Sequence, residues 1–206
     1  MVLTNLTDCC VTDPKTLTYI ADALDWDDRN LKDVLNNTKE YLNHCYTIAK
    51  NYSHDPVTQI GSCLVNERGE AISTGYNGFI KQIDNLSVVE MRAHPDAQKP
   101  NKYTVFEHAE RRVIFNHISG RDSCVKMNSL VMFCPYFSCA ECSRAICLSG
   151  IKLVIGHKTP ISHCPERWRE SILAGRKMFD EYGVMYYEWD GIVGNTMMIN
   201  GQNIEV

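Results

Sequence analysis

In the stretch "SCAECSRAICLSGI", Cys139 and Cys142 stand three residues apart, directly after an apolar run and at the opening of a helical pattern. This junction limits what the chain can fold into more than any other stretch. In the first turn of a helix, two cysteines at this spacing point both sulfurs off the N-terminus toward one point. The positive end of the helix favours thiolates there, the form in which sulfur binds a metal. A strand that runs straight into a helix start is the local structure this spacing asks for.

A second helix start carries complementary chemistry. "FEHAERRVIFN", residues 106–116, places His108 and Glu110 two residues apart. Zinc takes cysteine sulfur and histidine nitrogen in a tetrahedron, and a catalytic zinc keeps one position open. His108, Cys139 and Cys142 form such a three-ligand set, and Glu110 is close enough to reach the open position. On the residues alone, other readings stand beside this one. A C-x-x-C after a strand also describes a redox pair, which would leave His108 unexplained. A silent zinc module with a binding role would keep the ligands but have no use for Glu110. The order His-x-Glu then Cys-x-x-Cys, each at a helix start, matches the zinc deaminase signature.

The totals bound the partners. A chain of 206 residues with 44% apolar and 22% charged residues is large enough for one globular domain with additions. No apolar run approaches the roughly 20 residues of a membrane span. "MVLTNLTDCC" has no basic n-region or long apolar core, so no secretory signal is expected. The ten cysteines are then expected as reduced thiols or metal ligands. A net charge of −4, with no basic run longer than Arg111–Arg112, disfavours long nucleic acid as a partner.

Periodicity orders the elements. Residues 1–37 read as an acidic accessory segment with a short helical pattern at Leu17, Ile20 and Leu24. Tyr41, Leu42, Cys45, Ile48 and Ala49 predict an amphipathic helix over 38–52, stopped by Pro56. Runs 58–65 and 71–76 predict a β-hairpin around Asn66-Glu67-Arg68-Gly69, and 80–104 read as loop. Helix 107–118, strand 129–134, helix 139–149, strand 152–156, helix 165–181 and strand 184–187 follow. Strands alternating with crossover helices predict an α/β fold, a mixed sheet with helices on both faces. The tail from Gly191 has no assignment.

Four segments in order, "SHDPVTQIGSCLVN", "STGYNGF", "KYTVFEHAERRVIFN" and "CAECSRAICLSGIKLVI", resemble the deoxycytidylate deaminase branch of the cytidine deaminase superfamily. The resemblance spans roughly residues 40–187, and "GYNGF" ahead of His-Ala-Glu separates this branch from deaminases of free nucleosides, guanine or tRNA adenosine. It implies a cytidine-deaminase-like three-layer α/β/α fold with a mixed, about five-stranded central sheet. It implies a deaminase domain over 38–190, between the accessory segment 1–37 and a tail, 191–206. It also implies one catalytic zinc per chain on His108, Cys139 and Cys142, with Glu110 as proton carrier. Asn77 would bind the deoxyribose, the Ala109 N–H the pyrimidine O2, and the Ser138 carbonyl the amine. The implied reaction is hydrolysis of dCMP to dUMP with release of ammonia, feeding thymidylate synthesis. Relatives form symmetric homo-oligomers, often hexamers, activated by dCTP and inhibited by dTTP, and such an effector nucleotide would bring Mg2+. The implied location is the cytoplasm, or that of the host for a viral chain.

Two positions depart from the family pattern: Ser138 replaces a usual proline, and Arg112 a usual asparagine. Arginine binds phosphate through a planar fork, so Arg112 is a phosphate candidate that would admit dCTP, alone or with dCMP. The other reading is a surface arginine. Lys158 is likewise a phosphate candidate or an exposed loop lysine. Tyr136 and Phe137 line a base pocket or pack in the core. His44, His94, His163, Cys45, Cys63, Cys124 and Cys164 show no spacing that supports a second zinc.

Overall fold

The computed structural model describes residues 6–7, 13–80, 105–120 and 122–206; the loop expected at 80–104 lies outside these, save for Ile80. A short strand, β1 (Leu6–Thr7), precedes helices α1 (Pro14–Leu24), α2 (Asp28–Asn36) and α3 (Thr38–Tyr52). Strands β2 (Gly61–Val65), β3 (Ala71–Tyr76), β4 (Gly78–Phe79) and β5 (Phe106–Glu107) lead to α4 (Ala109–Ser119). Then come β6 (Val131–Phe133), α5 (Ala140–Ser149), β7 (Leu153–His157), α6 (Lys158–Ser162), α7 (Arg169–Tyr182) and β8 (Met185–Asp190). A hairpin of β9 (Thr196–Ile199) and β10 (Gln202–Glu205) ends the chain.

Local chemistry explains the helix ends. Asp13 accepts from the Thr16 N–H ahead of Pro14, and Asp27 from the Arg29 N–H, so α1 and α2 begin on capping aspartates. Helix α5 stops at Gly150 in the left-handed region, φ 91°.

The sheet runs β1-β8-β7-β6-β2-β3. Strand β2 is antiparallel to both its neighbours, while β6, β7, β8 and β1 run parallel. The five expected strands are thus present as a mixed sheet, and β1 adds a two-residue edge. Side-chain alternation splits the core in two. Cys63, Val65, Val131, Phe133, Leu153, Ile155, Met185 and Tyr187 pack with Ile20, Leu24, Trp26, Leu31 and Cys45 of the N-terminal helical region. Their neighbours Leu64, Met132, Val154 and Tyr186 pack with Val113, Ile114, Ile146 and Phe179 of α4, α5 and α7. That is the three-layer α/β/α arrangement. Residues 14–36 therefore contribute Ile20, Ala21, Leu24, Trp26, Leu31 and Val34 to the same core as the sheet, while Tyr19 stays exposed. No helix of the described residues is long and apolar enough to cross a membrane.

The tail that the sequence left unassigned is a two-residue hairpin. Ile199 pairs with Gln202 across Asn200 (φ 51°) and Gly201 (φ 78°). Both positive φ values suit an Asn-Gly type I′ turn. Its Val193, Met197, Ile199 and Val206 pack on Leu42 and Tyr46 of α3.

Candidate active site

The site forms where α4 and α5 begin, at the ends of β5 and of the segment after β6. Strand β3 sets the position of α4. Gly75 lies so close that an added Cβ would stand 2.4 Å from the Ala109 carbonyl oxygen and 2.6 Å from the Val113 nitrogen. The Ser62 hydroxyl donates to the Ala109 carbonyl at 2.7 Å, and the Ser73 hydroxyl to the Val113 carbonyl at 3.0 Å. On α5, the uncapped start is completed from α7, where Ser171 Oγ accepts the Ala140 N–H at 3.0 Å. Arg111 joins the two helix starts, binding Glu107 at 3.1 Å and Glu141 at 3.3 Å.

This frame brings His108, Cys139 and Cys142 together. His108 Nδ1 lies 3.6 Å from Cys139 Sγ and 3.3 Å from Cys142 Sγ, and the three donor atoms are within 4.8 Å of one another. Zinc at about 2.3 Å from sulfur and about 2.0 Å from nitrogen sets tetrahedral sulfur–nitrogen edges of about 3.5 Å. The donor set fits that ion. Among the described residues no second such group occurs.

Electrostatics agree with a metal site. The two sulfurs are driven apart in acidity: the hydrogen bond with Cys142 brings the Cys139 thiol down to about 3, and the same contact drives Cys142 well above its usual value. Burial lowers His108, but the Cys139 hydrogen bond and the charges of Glu110, Cys139 and Glu107 outweigh it and leave it raised. Glu110 is 4% exposed, and burial pushes its carboxyl up against the opposing pull of His108.

Glu110, His108, Ala109 and Cys139 line one cavity with Asp55, Thr58, Asn77 and the ring of Tyr136. Its empty space of about 700 Å³ includes solvent at the open mouth. Phe137 lines it too, while packing on Phe179 and Tyr186. Asn77 Oδ1 accepts from Ser53 Oγ at 2.6 Å and the Ile60 N–H at 2.8 Å, and Nδ2 donates to the Thr58 carbonyl at 2.7 Å. It therefore shapes the cavity wall, and its second Nδ2 N–H has no acceptor among the described residues.

Three residues expected as ligand contacts have protein partners in the fold. Arg112 is held by backbone carbonyls and is not a free surface residue. Its Nε donates to the Tyr76 carbonyl, its Nη2 to those of Gly78 and Phe79, at 2.7–2.9 Å, and it stacks on the Tyr76 ring. The fork thus ties the end of β3 to β4, supplying donors to carbonyls of both strands. Lys158 pairs with Asp190 at 2.6 Å and does not line the cavity. The Ser138 carbonyl faces Ser143 Oγ (3.5 Å) and Gly175 of α7, and Ser138 is not among the lining residues.

Sequence reasoning missed Arg167 and Asn200, which both line the cavity. Arg167 makes no ion pair among the described residues. Asn200 had a visible signal, the Asn-Gly pair flanked by apolar residues. Arg167, on the connection before α7, had none.

Residues 35–158 match the family described as the cytidine and deoxycytidylate deaminase zinc-binding region, more than half of the chain. Deoxycytidylate deaminase of Homo sapiens is 30% identical over 116 residues, 56% of this chain and 62% of the human protein. That match covers less than two thirds of the human protein's length. Deoxycytidylate deaminase of Pongo abelii is 28% identical over 149 residues, 71% of this chain and 76% of that protein. The solved structure of dCMP deaminase from the cyanophage S-TIM5, in complex with dCMP and dUMP, has a TM-score of 0.50 and 17% identity. It covers 73% of this chain and 94% of that one, a likeness of fold. His108, Glu110, Cys139 and Cys142 all fall inside the family match. On that match the chain belongs to the cytidine and deoxycytidylate deaminase zinc-binding family.

Proposed function

We propose that the chain hydrolyses the exocyclic amine of dCMP, giving dUMP and ammonia. The observation that carries this reading is the buried Glu110 carboxyl in the same cavity as the zinc-fitting triad. A purely structural zinc site has no use for an acid beside it. Bound to His108, Cys139 and Cys142, zinc supplies the Lewis acidity that makes water a nucleophile near neutral pH. Glu110 takes the proton of the attacking water, places it on ring N3, and then delivers a proton to the departing amine. Its raised carboxyl suits a group that must give a proton back as well as take one. The Ala109 N–H, at the uncapped start of α4, donates to the pyrimidine O2. Asn77 offers its remaining N–H to the sugar. The product dUMP would feed thymidylate synthesis, and assembly into homo-oligomers responding to dCTP and dTTP belongs to the same reading.

The dCTP alternative rested on Arg112, whose guanidinium is engaged by three carbonyls. Zinc-loaded protein assayed with dCMP, dCTP, CMP and deoxycytidine, by loss of cytosine absorbance, tests both. The expected result is turnover of dCMP above the other three, abolished in Glu110→Ala. Preference for dCTP would replace the reading, and silence on all four with zinc bound would overturn it.

A further inference from the structure

The cavity has a wall that the family match does not reach. It is made by the β9–β10 turn and the segment before α7, both beyond residue 158. The turn is fastened on two sides. The Gly201 N–H donates to the Val57 carbonyl at 2.8 Å, and the Gln59 N–H to the Met198 carbonyl at 2.9 Å. The Asn200 N–H donates to Thr58 Oγ1 at 3.2 Å, and Asn200 Nδ2 reaches the His163 carbonyl at 3.4 Å.

The donors left over share one character. Thr58 Oγ1 accepts from Asn200, and its own proton has no acceptor among the described residues. Asn200 Nδ2 has a second N–H with no acceptor among the described residues beyond the His163 carbonyl. Arg167 brings a guanidinium with no carboxylate partner among the described residues. All three line the cavity. The neighbouring acid, Asp55, is fully buried, with Oδ1 accepting the Val57 N–H at 2.9 Å. Hydroxyl, amide and guanidinium donors with net positive charge suit a tetrahedral anion, each donor meeting an oxygen.

We propose that the C-terminal hairpin is part of the substrate site: Asn200 at its tip, with Thr58 and Arg167, binds the 5′-phosphate of a pyrimidine nucleoside monophosphate. The inference rests on the reading of the chain as a nucleotide deaminase and assigns the residues that select nucleotide over nucleoside. The hairpin is then a specificity element and not only a cover for α3.

The test compares Asn200→Asp and Asn200→Gly with the wild type, all as the full zinc-loaded chain. Asp-Gly and Gly-Gly both keep a type I′ turn, so neither change removes the hairpin. Titration calorimetry measures binding of dUMP and of deoxyuridine, which differ only in the phosphate. Asn200→Asp, which replaces the donor by a negative charge, is expected to weaken dUMP at least about tenfold and leave deoxyuridine unchanged. Asn200→Gly should show a smaller loss in the same direction. Equal weakening of both ligands would make the tip structural and overturn the proposal, as would unchanged dUMP binding in Asn200→Asp. Wild-type protein that neither binds dUMP nor deaminates dCMP would overturn the nucleotide reading and this proposal with it.

Discussion

Glu110 and Arg112 sit two residues apart on α4 and do opposite kinds of work. Glu110 faces the cavity, buried, with His108 the one cation among the described residues that pulls its carboxyl down. Glu110→Gln keeps the shape and removes the proton carrier. Its kcat should fall by about 10² to 10⁴, while zinc, assayed with a chelating dye, remains at one per chain. A loss of zinc in step with activity would mean Glu110 acts through the fold. Arg112 turns the other way and closes off three backbone carbonyls. Arg112→Ala should cost about 1–3 kcal/mol in urea denaturation, because those carbonyls lose their donor. The same variant should change turnover of dCMP and deoxycytidine by equal factors. A selective loss on dCMP would return the phosphate role to Arg112.

Between elements, the site depends on two close approaches. Strand β3 reaches the first turn of α4 at Gly75, where backbone atoms leave no room for a methyl group. Gly75→Ala must push the helix start away, carrying His108 and Glu110 with it. We expect a loss of about 1–3 kcal/mol in stability from overpacking, together with a fall in kcat larger than that of any surface variant. Normal activity with normal stability would show that β3 can yield. Helix α5 depends on α7 in a gentler way, through the Ser171 hydroxyl on the Ala140 N–H between the two cysteines. Ser171→Ala should weaken zinc binding about tenfold in chelator competition, as the loss of an outer hydrogen bond usually does. Unchanged zinc affinity would limit Ser171 to helix packing.

Across the whole molecule, His157 links the sheet to the chain's last segment. It is buried at the end of β7, with the Tyr46 hydroxyl 2.5 Å from Nδ1 and the Gly191 carbonyl 2.9 Å from Nε2. Burial lowers its pKa below the usual 6.5, against the raising pull of the Gly191 carbonyl and the Asp190 charge. The unfolded chain therefore binds more protons than the folded one once the pH falls below about 6.5. Stability should be lost as the pH drops from there toward the lowered folded value, and regained as it rises. Urea midpoints measured from pH 5 to 7.5 should slope upward in the wild type and flatten in His157→Gln. Parallel slopes would show that other groups carry the acid sensitivity.

Much of this protein was legible in local pattern. The helix over 38–52 was read with the observed bounds, because its apolar spacing and the stop at Pro56 are properties of that segment alone. The two helix starts with their His-x-Glu and Cys-x-x-Cys were legible for the same reason, and strands alternating with crossover helices foretold a sheet covered on both faces. The Asn200-Gly201 turn could have been read locally, but not where the hairpin would dock. Arg112, Lys158 and Arg167 carry the same charge and look alike in a sequence. Their fates were decided by what the fold put beside each: three carbonyls, a carboxylate from β8, and an open cavity. Spacing along the chain determines which side chains share a turn or a face. Which distant groups meet them depends on the packing of all layers together, and only the tertiary structure decides that.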